Sequence, residues 1–278
     1  MTSFDNKYSV LMSIYKNEKP ENFKESIESM LKQSIEPDQI VIVKDGELSR
    51  ELDEVITSYS SIHENRFTVV PLKKNVGLGL ALNEGLKACR NELVARMDTD
   101  DISLPERCEL QLNEFEAKQD LVISGTNIDE FYDSPDNIVS SRVVPSTHQE
   151  ILRFGRRRNP FNHPTVMYKR SVILKMGGYK DFRRNQDLDL FIHIINAGYE
   201  SSNLSKSLLL FRANSDNLKR RKSWTKCSSY IQMIYSFWRK GYSGLNDLII
   251  VTLSQTIIFI APIKLLEMLS DKYLRNKK

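Results

Sequence analysis

The sequence predicts an α/β protein, a mostly parallel sheet with helices on both faces followed by a helical C-terminal region. Three observations carry this. Short apolar runs alternate with apolar residues at helical spacing; polar and acidic residues follow successive runs; and charge divides unevenly along the chain. Residues 1–150 hold 16 Lys and Arg against 28 Asp and Glu, whereas residues 151–278 hold 24 against 8. The halves therefore face different partners: an acidic first half suits a cation, and a basic second half suits phosphates or an anionic membrane. At 278 residues, with 40% hydrophobic and 27% charged residues, the chain is long enough for a sizeable core. That composition excludes a mostly disordered chain, a collagen-like one and a multi-span membrane protein.

Tyr8 to Tyr15 (YSVLMSIY) and Ile40 to Val43 (IVIV) are strands, and Phe23, Ile27, Met30 and Leu31 recur between them at helical spacing. A helix is expected around Leu52 to Tyr59, a strand over Phe67 to Leu72, a helix around Leu78 to Ala88 and a strand over Leu93 to Met97. In a parallel sheet, ligands collect at the carboxyl ends of the strands. Those ends carry Ser13 and Tyr15, then Asp45, then Lys73 to Gly77, then Asp98, Asp100 and Asp101. Further on come a helix from Glu106 to Phe115, a buried strand from Leu121 to Gly125 and an edge strand from Val139 to Val144. Helices follow around Ser171 to Met176 and over Asp187 to Ala197.

Cys89, Cys108 and Cys227 form no CxxC pair, which argues against a disulfide framework or a structural zinc site. Met1 to Lys7 shows no signal-peptide pattern, so a cytoplasmic location is expected. Leu248 to Ile263 is a run of sixteen uncharged residues. As a helix it reaches only about 24 Å, short of the ~30 Å hydrocarbon core, so docking on a membrane is expected and crossing is not. The alternative is that this run packs on the rest of the chain as core. Nucleic-acid binding is disfavoured, because aromatics are not interleaved with the basic runs.

Asp98-Thr99-Asp100-Asp101 is the sharpest chemical signal. Three carboxylates at a strand end repel one another, and a divalent cation with hard oxygen ligands, Mg²⁺ or Mn²⁺, relieves the repulsion and can grip a diphosphate. The bland alternative is a solvated turn in which Asp101 or Ser103 caps a helix starting near Pro105. Position at the end of the fourth strand favours a site.

With YSVLMSIYKNE, IVIVKDGE, NVGLGLALNEGLKAC, ELVARMDTDDISLPERCELQ, NPFNHPTVMYKRSVILKMGGY and NQDLDLFIHII in order from Tyr8 to Ile195, the chain resembles a bacterial glycosyltransferase family 2 enzyme of the GT-A fold, as found in O-antigen and capsule clusters. The resemblance implies a Rossmann-like nucleotide-diphospho-sugar transferase domain over residues 1–215, with a nucleotide-binding part to about residue 100 and an acceptor part beyond it. Residues 216–278 become a basic, apolar, helical membrane-docking region. Asp45 is then expected on the uracil ring, with Ser13 and Tyr15 lining the same pocket and Asn75 and Gly77 beneath the nucleoside. Asp98 faces the ribose and the metal, Asp100 ligates the metal, and Asp187 takes the proton of the acceptor hydroxyl. The family usually reads Glu-Asp where this chain has Gln186-Asp187, so the base rests on Asp187 and Asp189 is structural. Read without the resemblance, Asp187 would be an ordinary acid at a helix N-terminus.

Arg96 is grouped with the donor-binding residues, although alternation along LVARM equally allows it to point away. His163 falls near the acceptor, where a structural hydrogen-bonding role competes with a ligand role. Arg156 to Arg158 and Lys219 to Lys222 are candidates for lipid pyrophosphate or membrane phosphates. The implied activity is inverting, metal-dependent transfer of a hexose, galactose first and glucose second, from a UDP-sugar to a saccharide on undecaprenyl diphosphate. It would take place at the inner face of the cytoplasmic membrane, with the enzyme peripheral to it. A sugar nucleotidyltransferase is the rival enzyme, weakened by the lack of a GxGxRL-like N-terminal loop. A non-catalytic membrane adaptor would explain the basic half and leave the acidic strand ends unexplained.

Overall fold

The computed structural model describes residues 7–213 and 223–261. The Lys219 to Lys222 cluster and the end of the apolar run at Pro262 and Ile263 lie outside the described residues. In chain order the elements are β1 (Tyr8–Ile14), α1 (Pro20–Leu31), β2 (Gln39–Lys44), α2 (Arg50–Ile62), β3 (Phe67–Pro71), α3 (Leu78–Ala88), β4 (Leu93–Arg96), β5 (Ile102–Ser103) and α4 (Arg107–Ala117). There follow β6 (Leu121–Phe131), β7 (Ile138–Arg142), α5 (His148–Gly155), a 3₁₀ turn (His163–Thr165), β8 (Met167–Lys169), α6 (Arg170–Lys175), α7 (Gln186–Asn196), β9 (Glu200–Arg212), α8 (Trp224–Arg239) and α9 (Leu245–Ile260).

One sheet runs β3-β2-β1-β4-β8-β6-β9-β5, with β7 pairing to β6. The first four strands are parallel to one another, as expected, with β1 between β2 and β4. Beyond β4, β8 enters antiparallel to both β4 and β6, while β6 and β9 pair in parallel. The runs YSVLMSI and QIVIVK carry no polar face because both faces of this half-sheet are covered. Leu11, Val41, Val43 and Val94 pack on one face with Leu82 and Leu86 of α3 and Phe191 of α7. Val10, Met12, Ile40, Ile42 and Ala95 pack on the other with Phe23 of α1, Leu52 of α2 and Phe115 of α4. Helix α3 lies very close to the sheet at Gly85, where an added Cβ would stand 2.3 Å from Leu11 Cδ1 and 2.6 Å from Val43 Cγ2.

The sequence does not announce β5, α5, the 3₁₀ turn, β8 or β9, whereas α8 falls within the helical C-terminal region it does announce. Strand β9 reads ESSNLSKSLLLFR, rich in Ser and poor in alternation, and it forms by pairing along β6 through several register shifts. That pairing also carries β6 past Gly125 to Phe131. Helix α4 starts at Arg107 with Glu106 at its N-cap, so neither Asp101 nor Ser103 caps it.

The apolar run from Leu248 packs as core on one face only. Val251 is buried and joins Met233, Ile234 and Phe237 of α8 in the core cluster that contains α7. Leu245, Ile249, Ile250, Leu253, Ile257 and Ile260 of α9 remain exposed. No helix among the described residues is long and apolar enough to cross a membrane.

Candidate active site

The carboxyl ends of β1, β2 and β4 open on one side of the sheet. Ser13 is half-buried in β1 opposite Val43, and Tyr15 stands just past the strand end, 46% exposed. Asp45 follows β2 and is buried; its Oδ1 accepts the N–H of Val76 at 2.7 Å and its Oδ2 the N–H of Gly77 at 3.1 Å. Asn75 Nδ2 donates to the Asp45 carbonyl at 3.2 Å. Gly46 must be glycine, since its φ is +89° and an added Cβ would lie 2.7 Å from the Asn75 nitrogen. Asp45, Asn75 and Gly77 thus form one unit that sets the entry into α3, with Gly77 at its N-cap.

At the end of β4, carboxylate oxygens of Asp98, Asp100 and Asp101 lie within 4.8 Å of one another. Strand alternation settles Arg96: Val94 faces the α3 and α7 side, so Arg96 does too, at 1% exposed. Its Nη2 pairs with Asp98 Oδ1, while Nε and Nη1 have no hydrogen-bond partner among the described residues. Burial, with the charges of Asp98 and Glu18 added, pushes the Asp100 carboxyl up to about 7. Asp101 is raised well above the usual carboxylate value, by burial and by the charges of Asp98 and Asp100. Its Oδ2 has no partner among the described residues. Three crowded carboxylates, one with an orphaned buried oxygen, suit a hard divalent cation. Glu18, which the sequence reading passed over, accepts the Thr99 hydroxyl at 2.8 Å and so braces this loop.

Asp187 occupies the first turn of α7, after Asn185 in a left-handed conformation with φ of 59°. Burial raises its pKa, against the backbone N–H groups of Leu188 and Asp187 and the charges of Arg96 and Arg142. Asn159 Nδ2 donates to Asp187 Oδ2 at 2.7 Å. Asp189 is buried, with Lys180 Nζ 2.8 Å from its Oδ2. His163 Nε2 lies 3.0 Å from the Tyr179 hydroxyl, and burial with the charge of Arg96 lowers its pKa well below the usual histidine value. Of the arginine run, Arg157 pairs with Asp247 of α9 at 2.5 Å and Arg158 lies over the Phe154 ring.

A parallel half-sheet continued by a mixed half, with an acidic cluster at the end of β4, is the arrangement of the GT-A fold. The same fold is found in the S. aureus protein TarS 1–349 in complex with UDP (TM-score 0.61, 15% identity, 95% of this chain and 72% of that one). It is found too in the mannosyltransferase PcManGT of Pyrobaculum calidifontis in complex with GDP-Man and Mn²⁺ (TM-score 0.59, 13% identity, 95% of this chain and 79% of that one). The chain belongs to glycosyl transferase family 2, whose model matches residues 9–177. It is 35% identical to the amylovoran biosynthesis glycosyltransferase AmsE of Erwinia amylovora, over 95% of this chain and 98% of that one. It is 34% identical, over 92% of each chain, to an Escherichia coli UDP-Gal:α-D-GlcNAc-diphosphoundecaprenol β-1,3-galactosyltransferase.

Proposed function

We propose that the protein transfers a hexose, galactose in preference to glucose, from a UDP-sugar to a hydroxyl of an undecaprenyl-diphosphate-linked saccharide, with inversion, in O-antigen or capsule assembly. The observation that carries this reading is the position of Arg96, which pairs with Asp98 and whose charge also bears on Asp187. The charge of this one buried arginine therefore reaches both the acidic strand end and the candidate base. The E. coli relative supports UDP-galactose and a lipid-diphosphate acceptor.

In this reading Asp45, Ser13, Tyr15, Asn75 and Gly77 form the nucleoside pocket, and Asp98 and Asp100 hold Mn²⁺ or Mg²⁺, which would neutralise charge on the departing diphosphate. Arg96 supports the donor side by orienting Asp98. Asp187 takes the acceptor proton as the new bond forms between the acceptor oxygen and the anomeric carbon. The bond from that carbon to the diphosphate breaks on the opposite face, and UDP leaves without a covalent intermediate. Residues 1–215 perform the chemistry. Residues 216–278 dock on the inner face of the cytoplasmic membrane, through the exposed side of α9 and the basic charge of the second half.

A panel of UDP- and GDP-sugars, with Mn²⁺ and with or without a synthetic GlcNAc-diphospho-lipid, tests the reading. UDP release from UDP-galactose that needs the lipid acceptor is expected. Pyrophosphate as product would instead identify a nucleotidyltransferase.

A further inference from the structure

Asn159 lies on the segment between α5 and the 3₁₀ turn, and its side-chain amide is fixed at both ends. The N–H of Phe161 donates to Asn159 Oδ1 at 3.1 Å. An N–H can face only the oxygen of the amide, so the NH₂ group is the end that meets Asp187 Oδ2. The backbone is held as well. Arg142 Nη2 donates to the Asn159 carbonyl at 3.1 Å, and Pro160 restricts the conformation of the residue before it. On the other side, Arg157 is clamped to the helical hairpin by Asp247 and by Tyr230, whose hydroxyl donates to the Arg157 carbonyl at 2.9 Å.

We propose that Asn159 is the positioning residue of the candidate base: by holding Oδ2 of Asp187, it leaves Oδ1 as the atom presented to the acceptor hydroxyl. This rests on Asp187 being the base. A carboxylate on a freely rotating side chain spreads its two oxygens over several orientations, whereas one tied by a charge-assisted bond keeps the other oxygen aimed. The first turn of α7 adds the backbone N–H groups of Leu188 and Asp187, which favour the ionised carboxylate, while Asn159 is the side chain that donates to Oδ2. Donation to Oδ2 also favours the ionised form that accepts a proton. The other charged or titratable groups bearing on Asp187 are Arg142 of β7, Arg96 of β4, Tyr179 and Tyr230 of α8.

The test uses the full-length protein, with Asn159→Asp beside Asn159→Ala. Asn159→Asp keeps the shape and the acceptor for Phe161 N–H but replaces the donor facing Asp187 by a second carboxylate oxygen. A packing role alone would leave the Asp187 titration of Asn159→Ala unmoved. The first readout is the titration of the Asp187 carboxyl by NMR of ¹³C-carboxyl-aspartate protein, its resonance assigned by absence from Asp187→Asn. Asn159→Ala is expected to move this titration up by about one pH unit, and Asn159→Asp by more. With UDP-galactose and the GlcNAc-diphospho-lipid, kcat should fall about tenfold or more in Asn159→Ala and further in Asn159→Asp, with donor KM unchanged. An unmoved Asp187 titration in Asn159→Ala overturns the proposal. Full activity in Asp187→Asn removes the base reading itself, a separate result.

Discussion

The backbone N–H of Arg212, at the end of β9, donates to Asp101 Oδ1 at 2.9 Å across 111 positions of sequence. Its side chain continues the grip: Nε donates to the Asp100 carbonyl at 2.9 Å, and the guanidinium lies over the Phe131 ring. The acidic loop is thus pinned from the late strand of the sheet. The protein itself holds Asp101, while Asp98 and Asp100 are the half-buried members of the cluster.

Crowding of these carboxylates sets a pH dependence of stability. The Asp100 carboxyl is pushed up to about 7 from 3.8, so through that window the folded state binds more protons than the unfolded one. Stability of the EDTA-treated protein is therefore expected to fall as pH rises from about 4 to about 7. Added Mn²⁺ should raise Tm more at pH 7.5 than at pH 5.5, because protons compete for the same oxygens. Asp100→Asn should raise Tm of the metal-free protein at pH 7.5 and abolish the Mn²⁺ response. Calorimetry with and without Mn²⁺ at both pH values checks this, and an unchanged Mn²⁺ response in the variant would contradict it.

Asp187→Asn keeps the hydrogen-bonding outline but cannot take a proton at neutral pH. Transfer is expected to fall by ~10² or more while UDP binding persists. Loss of UDP affinity in isothermal titration would move Asp187 into the donor pocket.

Gly85→Ala places a methyl group against Leu11 and Val43 where α3 meets the sheet. Overpacking of this kind costs about 1–3 kcal/mol, so the urea midpoint should drop. Both neighbours are fully buried core residues, which leaves the methyl group no room. An unchanged midpoint would show that α3 can lift off the sheet freely.

Leu253 and Ile257 are 59% and 56% exposed on α9. Leu253→Glu with Ile257→Glu should leave the unfolding free energy within about 1 kcal/mol of wild type, as surface changes do. Flotation with anionic liposomes should fall, and salt should weaken what remains. Undiminished flotation would place the membrane contact elsewhere.

Much of the fold was legible because burial on both faces leaves a strong local pattern. IVIV, short, β-branched and set between helix-spaced apolar residues, reads as an inner strand of a covered sheet, and β1 to β4 formed where expected. Strand β9 was not legible: its Ser-rich sequence has weak strand preference of its own and is ordered by β6. The DTDD motif and the Gln-Asp pair at the start of α7 were readable as chemistry, since carboxylates at strand and helix ends are local facts. Asn159 was not, because an asparagine before proline signals a turn and nothing more.

The sequence by itself determined the α/β order, the family and which carboxylates stand at element ends. Tertiary structure alone decided what each is held by: Arg96 turned towards the α7 side to pair with Asp98, Arg212 on Asp101, Asn159 on Asp187 and the Asp45 carboxylate on the N–H groups of Val76 and Gly77. The reason is physical. Periodicity and end signals arise from contacts within a few residues, whereas the orientation of a buried polar group is set by whichever distant donor or charge the packed chain brings within about 3 Å.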